Sequence, residues 1–136
     1  MRRAGAFTSS ARTASISEDS LKRWDGKTWT IFANLPKDQW GGNRISSVAV
    51  DPVNPNVVYA TSNRDLFASN VSVLRSTDAG ATWQNLTLNT PLNGKNRDGG
   101  REAICVRVHP RTRYAYVSTS CYGIWKIGPP PALGAN

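Results

Sequence analysis

The chain alternates short runs of apolar and β-branched residues with turn residues, and this pattern predicts β-strands. Residues 46–62 and residues 104–120 each have the pattern strand, Pro-containing turn, strand. Proline fixes φ and removes a backbone donor, so each first strand must end where its turn begins. The pattern therefore predicts an all-β fold of short antiparallel strands.

The strand pattern repeats within the chain. Residues 46–62 align without gaps on residues 104–120, at a shift of 58, and keep the turn proline as Pro52 and Pro110. The next strand recurs as residues 73–76 and 124–127, at a shift of 51, so the connection before it is 7 residues shorter in the later copy. Periods of 20–50 residues or slightly more are typical of repeat architectures.

One hairpin organises each repeat. In residues 74–83, Leu-Arg-Ser-Thr-Asp-Ala-Gly-Ala-Thr-Trp, two strands are predicted to flank a tight turn. Asp78 can accept hydrogen bonds from the amides of its own turn, and Gly80 can adopt a positive φ. Trp83 can fold back over the turn as an apolar cover.

A shorter copy of this hairpin occurs earlier in the chain. Asp25 and Gly26 lie between Trp24 and Trp29, and the two aspartates are 53 residues apart. An Asp-Gly pair between two strands favours a two-residue type I′ turn. The copy therefore predicts the outer hairpin of a preceding repeat.

The pattern Ser76-x-Asp78-x-Gly80-x-Thr82-Trp83 resembles the Asp-box, or BNR repeat, of sialidases, sortilin-type receptors and family 74 glycoside hydrolases. The resemblance implies four-stranded antiparallel β-propeller blades whose outer hairpin carries the motif. It also implies a structural role, with tryptophans packing between blades, for a set of turn residues: Ser76, Asp78, Gly80, Trp83, Asp25, Gly26 and Trp29.

With this assignment the chain divides into about two and a half blades of an incomplete ring. The predicted parts are a disordered segment at 1–17, a propeller segment at 18–128 (half blade 20–32, full blade 45–88, three-stranded blade 103–127) and a Pro-rich tail at 129–136. Each blade packs both faces on its neighbours, so two apolar faces would be left in water. We expect either a C-terminal fragment completed by the remaining blades of a longer chain, or several copies that close the ring.

Charge and cysteine content narrow the function classes. The formal net charge is +8 for 136 residues, spread over turns and the N-terminus, which indicates a solvated surface rather than a nucleic-acid site. No apolar run is long enough to span a membrane or to form a secretory signal. Cys105 falls in the predicted first strand of one blade and Cys121 just before its predicted third strand. First and third strands are roughly 9–10 Å apart, so we expect free thiols unless Cys121 lies in a mobile loop.

Candidate binding residues fall on the face opposite the Asp-box and Pro turns. Long loops there carry aromatic, charged and glycine residues, and such loops are often functional. Trp40 could stack on a sugar face while planar polar groups bind hydroxyls, although a packing role is an equally good interpretation of Trp40. The candidate sugar-binding set is Trp40, Asp38, Arg44, Arg64, Asp65 and Tyr122.

A glycosidase needs two carboxyl groups that flank the scissile bond. The acids on this face are Asp38, Asp65, Asp98 and Glu102, and no spacing indicates that two of them converge. No metal, nucleotide or Ser-hydrolase motif is present, so no cofactor is predicted.

Among the Asp-box families, residues 45–62 and 74–86 look most like family 74 glycoside hydrolases. That resemblance implies a secreted protein, extracellular or periplasmic, that cuts xyloglucan and related plant β-glucans with two Asp residues in a cleft between two propellers. No position here matches either Asp, so we expect this chain to supply scaffold and sugar contacts and to be inactive alone. The alternative is a non-catalytic propeller for protein binding or assembly, similar to sortilin-type receptors or photosystem assembly factors.

Overall fold

A computed structural model describes residues 13–17, 20–32, 45–62, 73–87, 103–120 and 123–131. These ranges contain ten β-strands and no α-helix, and none of them includes a helix that could cross a membrane. The strands are β1 (Thr13–Ser17), β2 (Ser20–Trp24), β3 (Trp29–Ile31), β4 (Ile45–Val50), β5 (Val58–Ser62), β6 (Val73–Ser76), β7 (Gln84–Asn85), β8 (Ala103–Val108), β9 (Ala115–Thr119) and β10 (Ile124–Ile127).

The ten strands form three antiparallel sheets in chain order. The first sheet has the order β1-β2-β3, the second β4-β5-β6-β7, and the third β10-β9-β8. Every pair of neighbouring strands is antiparallel and each sheet is a simple meander. The predicted all-β architecture of antiparallel blades is confirmed, with one four-stranded sheet between two three-stranded ones.

Strand β1 differs from the expectation of disorder before residue 18. Thr13–Ser17 pairs with β2 along its whole length, from Thr13 opposite Trp24 to Ser17 opposite Ser20. A short polar strand gives little periodic signal by itself, but the backbone of β2 offers it a full ladder of hydrogen bonds. The first sheet therefore has three described strands where a half blade was predicted.

Strand pairing also corrects the gapless internal alignment. Val50 pairs with Val58 in the second sheet, whereas Val108 pairs with Ala115 in the third. The shift is 58 between β4 and β8 but 57 between β5 and β9, because the later turn is one residue shorter. Since a slip of one residue exchanges the two faces of a strand, Tyr116 is the equivalent of Tyr59 and not of Val58.

Two apolar clusters hold the three sheets together. Between the first and second sheets lie Leu21, Phe32, Ile45, Ala60 and Leu74. Between the second and third sheets lie Val57, Tyr59, Val73, Leu86, Ala103, Val106, Ala115 and Val117. The second sheet is therefore buried on both faces, which explains why all five residues of β5 are buried rather than alternating.

Candidate functional site

The antiparallel meander sorts the connections into two ends. The turns within β2-β3, β4-β5, β6-β7 and β8-β9 lie at one end, which we call the turn end. The start of β4, the end of β5 and the start of β6 lie at the other, which we call the loop end. All three carboxylates of the described residues, Asp25, Asp51 and Asp78, lie at the turn end.

Asp78 closes its turn with both carboxylate oxygens. Its Oδ1 accepts from the Thr82 amide and the Ser76 hydroxyl, each at 2.8 Å, and its Oδ2 accepts from the Thr82 hydroxyl. Ser76 Oγ in turn accepts from the Gly80 amide at 2.7 Å. With φ of 92° at Gly80, these bonds fold the backbone around one side chain. The carboxylate therefore has a structural task here.

Asp25 builds a related turn with a different backbone from the one predicted. Its Oδ1 accepts from the amides of Lys27 and Thr28 at 2.8 Å, and Trp24 pairs with Trp29. Four residues thus connect the strands, and Gly26 has a positive φ of 101° whereas Asp25 does not. The type I′ prediction is wrong, because two amides bonded to one carboxylate favour an Asx-type loop over a two-residue turn.

These hydrogen bonds stabilise the ionised carboxylates. Bonds from the hydroxyl and amide of Thr82 lower the pKa of Asp78 from 3.8 to about 2. The amides of Thr28 and Lys27 lower the pKa of Asp25 from its ordinary value. Both turns therefore favour the charged form at neutral pH.

The lowered pKa of Asp78 predicts an acid-dependent loss of stability. Asp78 binds a proton more readily in the unfolded chain, so its stabilisation is present above pH 3.8 and is lost as the pH falls towards 2. Urea unfolding between pH 5 and pH 2 should show a shallower acid dependence for Asp78→Asn than for the unmodified chain. Equal slopes for the two proteins would contradict this role. A carboxyl NMR titration should place the Asp78 midpoint near 2.

Trp83 packs between the first two sheets, but Trp29 does not pack between sheets. The ring of Trp83 meets Phe32 edge to face, with centroids 5.5 Å apart. The ring of Phe32 also lies against Gly80, where an added Cβ would overlap it. The ring of Trp29 instead lies tilted against the ring of Trp24, with centroids 5.4 Å apart. Trp29 is 51% exposed, because no described sheet lies on that side of the first sheet.

An ion pair joins the second and third sheets at the turn end. Asp51 accepts from the Val53 and Asn54 amides through Oδ1, at 2.8 and 3.2 Å. Its Oδ2 accepts from Nε and Nη2 of Arg113, at 2.8 and 2.7 Å. Burial raises the pKa of Asp51, but the bonds from Arg113 and the two amides outweigh it, so the pKa lies below its ordinary value.

The loop end carries a cluster of polar side chains that the sequence pattern did not reveal. Strands β4 and β8 each have a register shift at their start, between Ile45 and Ser47 and between Ala103 and Cys105. The Ser46 hydroxyl donates to the Ala103 carbonyl at 2.8 Å and lies 3.0 Å from the Thr61 hydroxyl. Bulges re-aim side chains, and here they turn Ser46 towards the next sheet.

The same inner strands hold a second set of polar contacts. Ser47 Oγ accepts from the Val106 amide at 3.2 Å and from Arg107 Nη1 at 3.4 Å, and donates to Cys105 Sγ at 3.7 Å. Cys105 has a free, partly buried thiol, as expected, while Cys121 lies outside the described residues. The broken alternation of Ile45-Ser46-Ser47-Val48 was the available signal for the bulge.

The predicted sugar-binding residues belong to the part of the chain that the structure does not describe. Trp40, Asp38, Arg44, Arg64, Asp65 and Tyr122 all lie outside the described residues, as do Asp98 and Glu102. The described strand ends on either side of residues 33–44 and of residues 63–72 lie at the loop end. The prediction of a sugar site there stays a prediction.

The three carboxylates of the described residues all accept hydrogen bonds within turns. Asp25, Asp51 and Asp78 lie in three separate turns, and each is hydrogen-bonded to its own turn. No group of three His, Cys, Asp or Glu side chains within the described ranges could hold a metal ion. The loop end of this part of the chain contributes hydroxyl, thiol and guanidinium groups.

Two xyloglucanases are similar to this chain in sequence. The chain is 31% identical over 112 residues to a xyloglucanase from Acetivibrio thermocellus, covering 76% of this chain and 13% of that protein. It is 33% identical over 112 residues to a xyloglucanase from a Paenibacillus species, covering 76% of this chain and 11% of that protein. No family model matches the chain.

The fold comparison agrees with the sequence comparison. A family 74 (GH74) xyloglucanase from Xanthomonas campestris aligns with a TM-score of 0.57 and 21% identity, over 79% of this chain and 16% of that one. The chain thus spans well under a fifth of the length of each relative. By sequence this chain is similar to xyloglucanases, and by fold it is a β-propeller segment that resembles part of a family 74 xyloglucanase.

Proposed function

We propose that this chain contributes blade structure and sugar contacts to a family 74-like glycoside hydrolase that acts on xyloglucan and related plant β-glucans. The sequence similarity to two xyloglucanases over 112 residues carries the proposal. Such a polysaccharide is too large to enter a cell, so the parent protein would work in an extracellular or periplasmic compartment. No cofactor is required, since glycosidases of this kind use carboxyl groups.

The three described carboxylates support a scaffold role for this part of the chain. Asp25, Asp51 and Asp78 stabilise turns at the turn end, away from the predicted binding loops. We infer that the Asp25 and Asp78 turns are Asp-box turns, since side-chain acceptors and a positive-φ glycine recur in both. The chain alone should therefore release no reducing sugar from xyloglucan.

Sugar binding is tested by tryptophan fluorescence with xyloglucan oligosaccharides. The unmodified chain should show saturable quenching, and Trp40→Ala should weaken it at least tenfold, because an aromatic platform is lost. Trp29→Ala is the matched control, since Trp29 is an exposed tryptophan on the first sheet and not a member of the candidate sugar-binding set. Unchanged quenching in Trp40→Ala would refute the platform. No quenching in the unmodified chain would favour the alternative, a non-catalytic propeller for protein binding or assembly.

A further inference from the structure

The turn between β8 and β9 is built around a histidine side chain. His109 Nδ1 accepts from the Arg111 amide at 3.3 Å and from the Thr112 amide at 3.1 Å. The His109 amide donates to the Tyr114 carbonyl at 2.9 Å, and the His109 carbonyl accepts from the Arg113 amide at 2.8 Å. The shape of this turn therefore depends on one residue, through both its side chain and its backbone.

The equivalent position in the second sheet is an aspartate. Asp51 lies 58 residues before His109, and its Oδ1 accepts from the Val53 and Asn54 amides, two and three residues later, at 2.8 and 3.2 Å. Its own amide donates to the Val57 carbonyl at 2.9 Å. A carboxylate accepts hydrogen bonds at neutral and mildly acidic pH, whereas a histidine nitrogen accepts only while it carries no proton. The two turns thus share a hydrogen-bond pattern but differ in their response to acid.

The two bonds to Nδ1 define the protonation state of His109 in the folded chain. Since Nδ1 accepts, the neutral ring carries its proton on Nε2. A second proton must bind Nδ1, where it would point at the two amide hydrogens and remove their acceptor. His109 is exposed, so this proton can come directly from water. Histidine side chains ordinarily change charge between about pH 5 and pH 8.

The same turn positions one half of the ion pair between the second and third sheets. Arg113 has a φ of 63°, which is uncommon for a residue with a side chain. Its amide is bonded to the His109 carbonyl, and its side chain reaches Oδ2 of Asp51 through Nε and Nη2, at 2.8 and 2.7 Å. Opening the turn lets this backbone return to a negative φ, which moves the Arg113 side chain away from Asp51.

His109 is the sole histidine of the chain, and the charged groups beside it on the third sheet are cations. Arg111 and Arg113 belong to the same turn, and Lys126 of β10 places its Nζ 4.7 Å from the centre of the Tyr114 ring. Arginine and lysine side chains stay positively charged between pH 5 and pH 8. A proton on the ring therefore also adds a like charge to a turn that already carries two.

The groups that face the turn from the second sheet keep their charge over the same pH range. Burial raises the pKa of Asp51, but the bonds from Arg113 and from the turn amides outweigh it, so the carboxylate stays ionised. Burial also raises the pKa of Tyr59, which interacts with both Asp51 and Arg113, so this phenol stays neutral. Among the described residues around this contact, the group that changes charge is the imidazole.

We propose that the β8–β9 turn is a proton-sensitive switch in the contact between the second and third sheets. A proton on His109 Nδ1 removes the acceptor of two turn amides, opens the turn and separates Arg113 from Asp51. The unfolded chain binds this proton without breaking a hydrogen bond, so the stabilisation is present at pH 8 and is lost as the pH falls to 5. This inference goes beyond the proposed function and does not rest on sugar binding.

Urea unfolding of the 136-residue chain at pH 8 and at pH 5 tests the switch. Acidification should raise the unfolding constant about fivefold more in the unmodified chain than in His109→Asp, the effect of losing roughly one hydrogen bond. Aspartate fills the equivalent position in the second sheet, so His109→Asp keeps an acceptor at both pH values. The comparison also cancels other groups that titrate in this range, including the N-terminus. Equal responses in the two chains would refute the switch.

Ser46→Ala is the matched control at the loop end of the same interface. The Ser46 hydroxyl donates to the Ala103 carbonyl, so this contact joins the two sheets through uncharged groups. The substitution should lower stability but leave the response to acid as large as in the unmodified chain. A response that disappeared in Ser46→Ala would place its origin at the loop end and contradict the proposal.

The coupling between Asp51 and Arg113 is a readout that a purely structural histidine would not change. A double-mutant cycle with Asp51→Ala and Arg113→Ala should give a smaller coupling at pH 5 than at pH 8. In the His109→Asp background the coupling should be the same at both pH values. Nitrogen NMR of the single histidine should show a proton on Nε2 and none on Nδ1 at pH 8. A coupling that is constant with pH in the unmodified chain, or an Nδ1 protonated at pH 8, would overturn the proposal.

Discussion

Gly80→Ala is expected to destabilise the chain by about 3 kcal/mol, since two independent costs add. Gly80 has φ of 92°, a region that L-residues rarely adopt. A Cβ at this position would also overlap the ring of Phe32, which is buried between the first two sheets. The substitution must therefore both strain the turn and push Phe32 out of its contact with Trp83. Urea unfolding monitored by tryptophan fluorescence measures the loss.

Gly26→Ala is the matched control for that substitution. Gly26 has a comparable φ of 101°, but a Cβ there would meet nothing within 4 Å. Only the cost of the strained backbone remains, so we expect Gly26→Ala to lower the free energy of unfolding by about 1 kcal/mol. A smaller side chain at position 32, in the double variant Gly80→Ala with Phe32→Leu, should recover part of the larger loss. If both glycine substitutions cost the same, the overlap with Phe32 plays no part.

Asp51→Ala is expected to cost a similar amount, about 3 kcal/mol, because it breaks a buried ion pair. Asp51 is 1% exposed, and removing its carboxylate leaves the Val53 and Asn54 amides and the Arg113 guanidinium without their acceptor. The pair also joins two sheets, so the third sheet should loosen from the second. Hydrogen exchange should show faster exchange in β8 and β9.

A double-mutant cycle with Arg113→Ala separates the stability that the Asp51–Arg113 ion pair contributes from the stability that the hydrogen bonds of the Asp51 turn contribute. Arg113→Ala removes the inter-sheet contact but leaves Asp51 bonded to its own turn, so we expect the smaller loss. The coupling energy should be about 1–3 kcal/mol if the pair stabilises the contact between sheets. Additive effects of the two substitutions would show that Asp51 acts only within its own turn.

Both predictions concern contacts between sheets, and these contacts decide whether the repeats form one unit. A sheet of three or four short strands cannot bury its apolar faces alone, so it depends on its neighbours. Phe32 on Gly80 joins the first pair of sheets, and Asp51 with Arg113 joins the second.

Much of the fold was predictable because strands and turns are local features. Alternating apolar residues, the Pro turns and the Asp-Gly hairpins specify where strands begin and end, and a 51- to 58-residue repeat specifies that the units are alike. Strand β1 was missed, since its pairing with β2 depends on backbone hydrogen bonds rather than on a pattern of side chains. The sequence predicted that two sheet faces have no neighbouring sheet within this chain. It did not predict which side chains lie on those two faces.

The sequence by itself determined the all-β repeat, the positions of the turns and the resemblance to family 74 glycoside hydrolases. The tertiary structure alone decided the register of β9, where a turn shorter by one residue places Tyr116 on the open face. It also decided the bulges that turn Ser46 towards the third sheet and the pairing of Asp51 with Arg113, 62 residues apart. These features arise from the packing of one sheet on another, and contacts between residues so distant in sequence leave no local pattern to read.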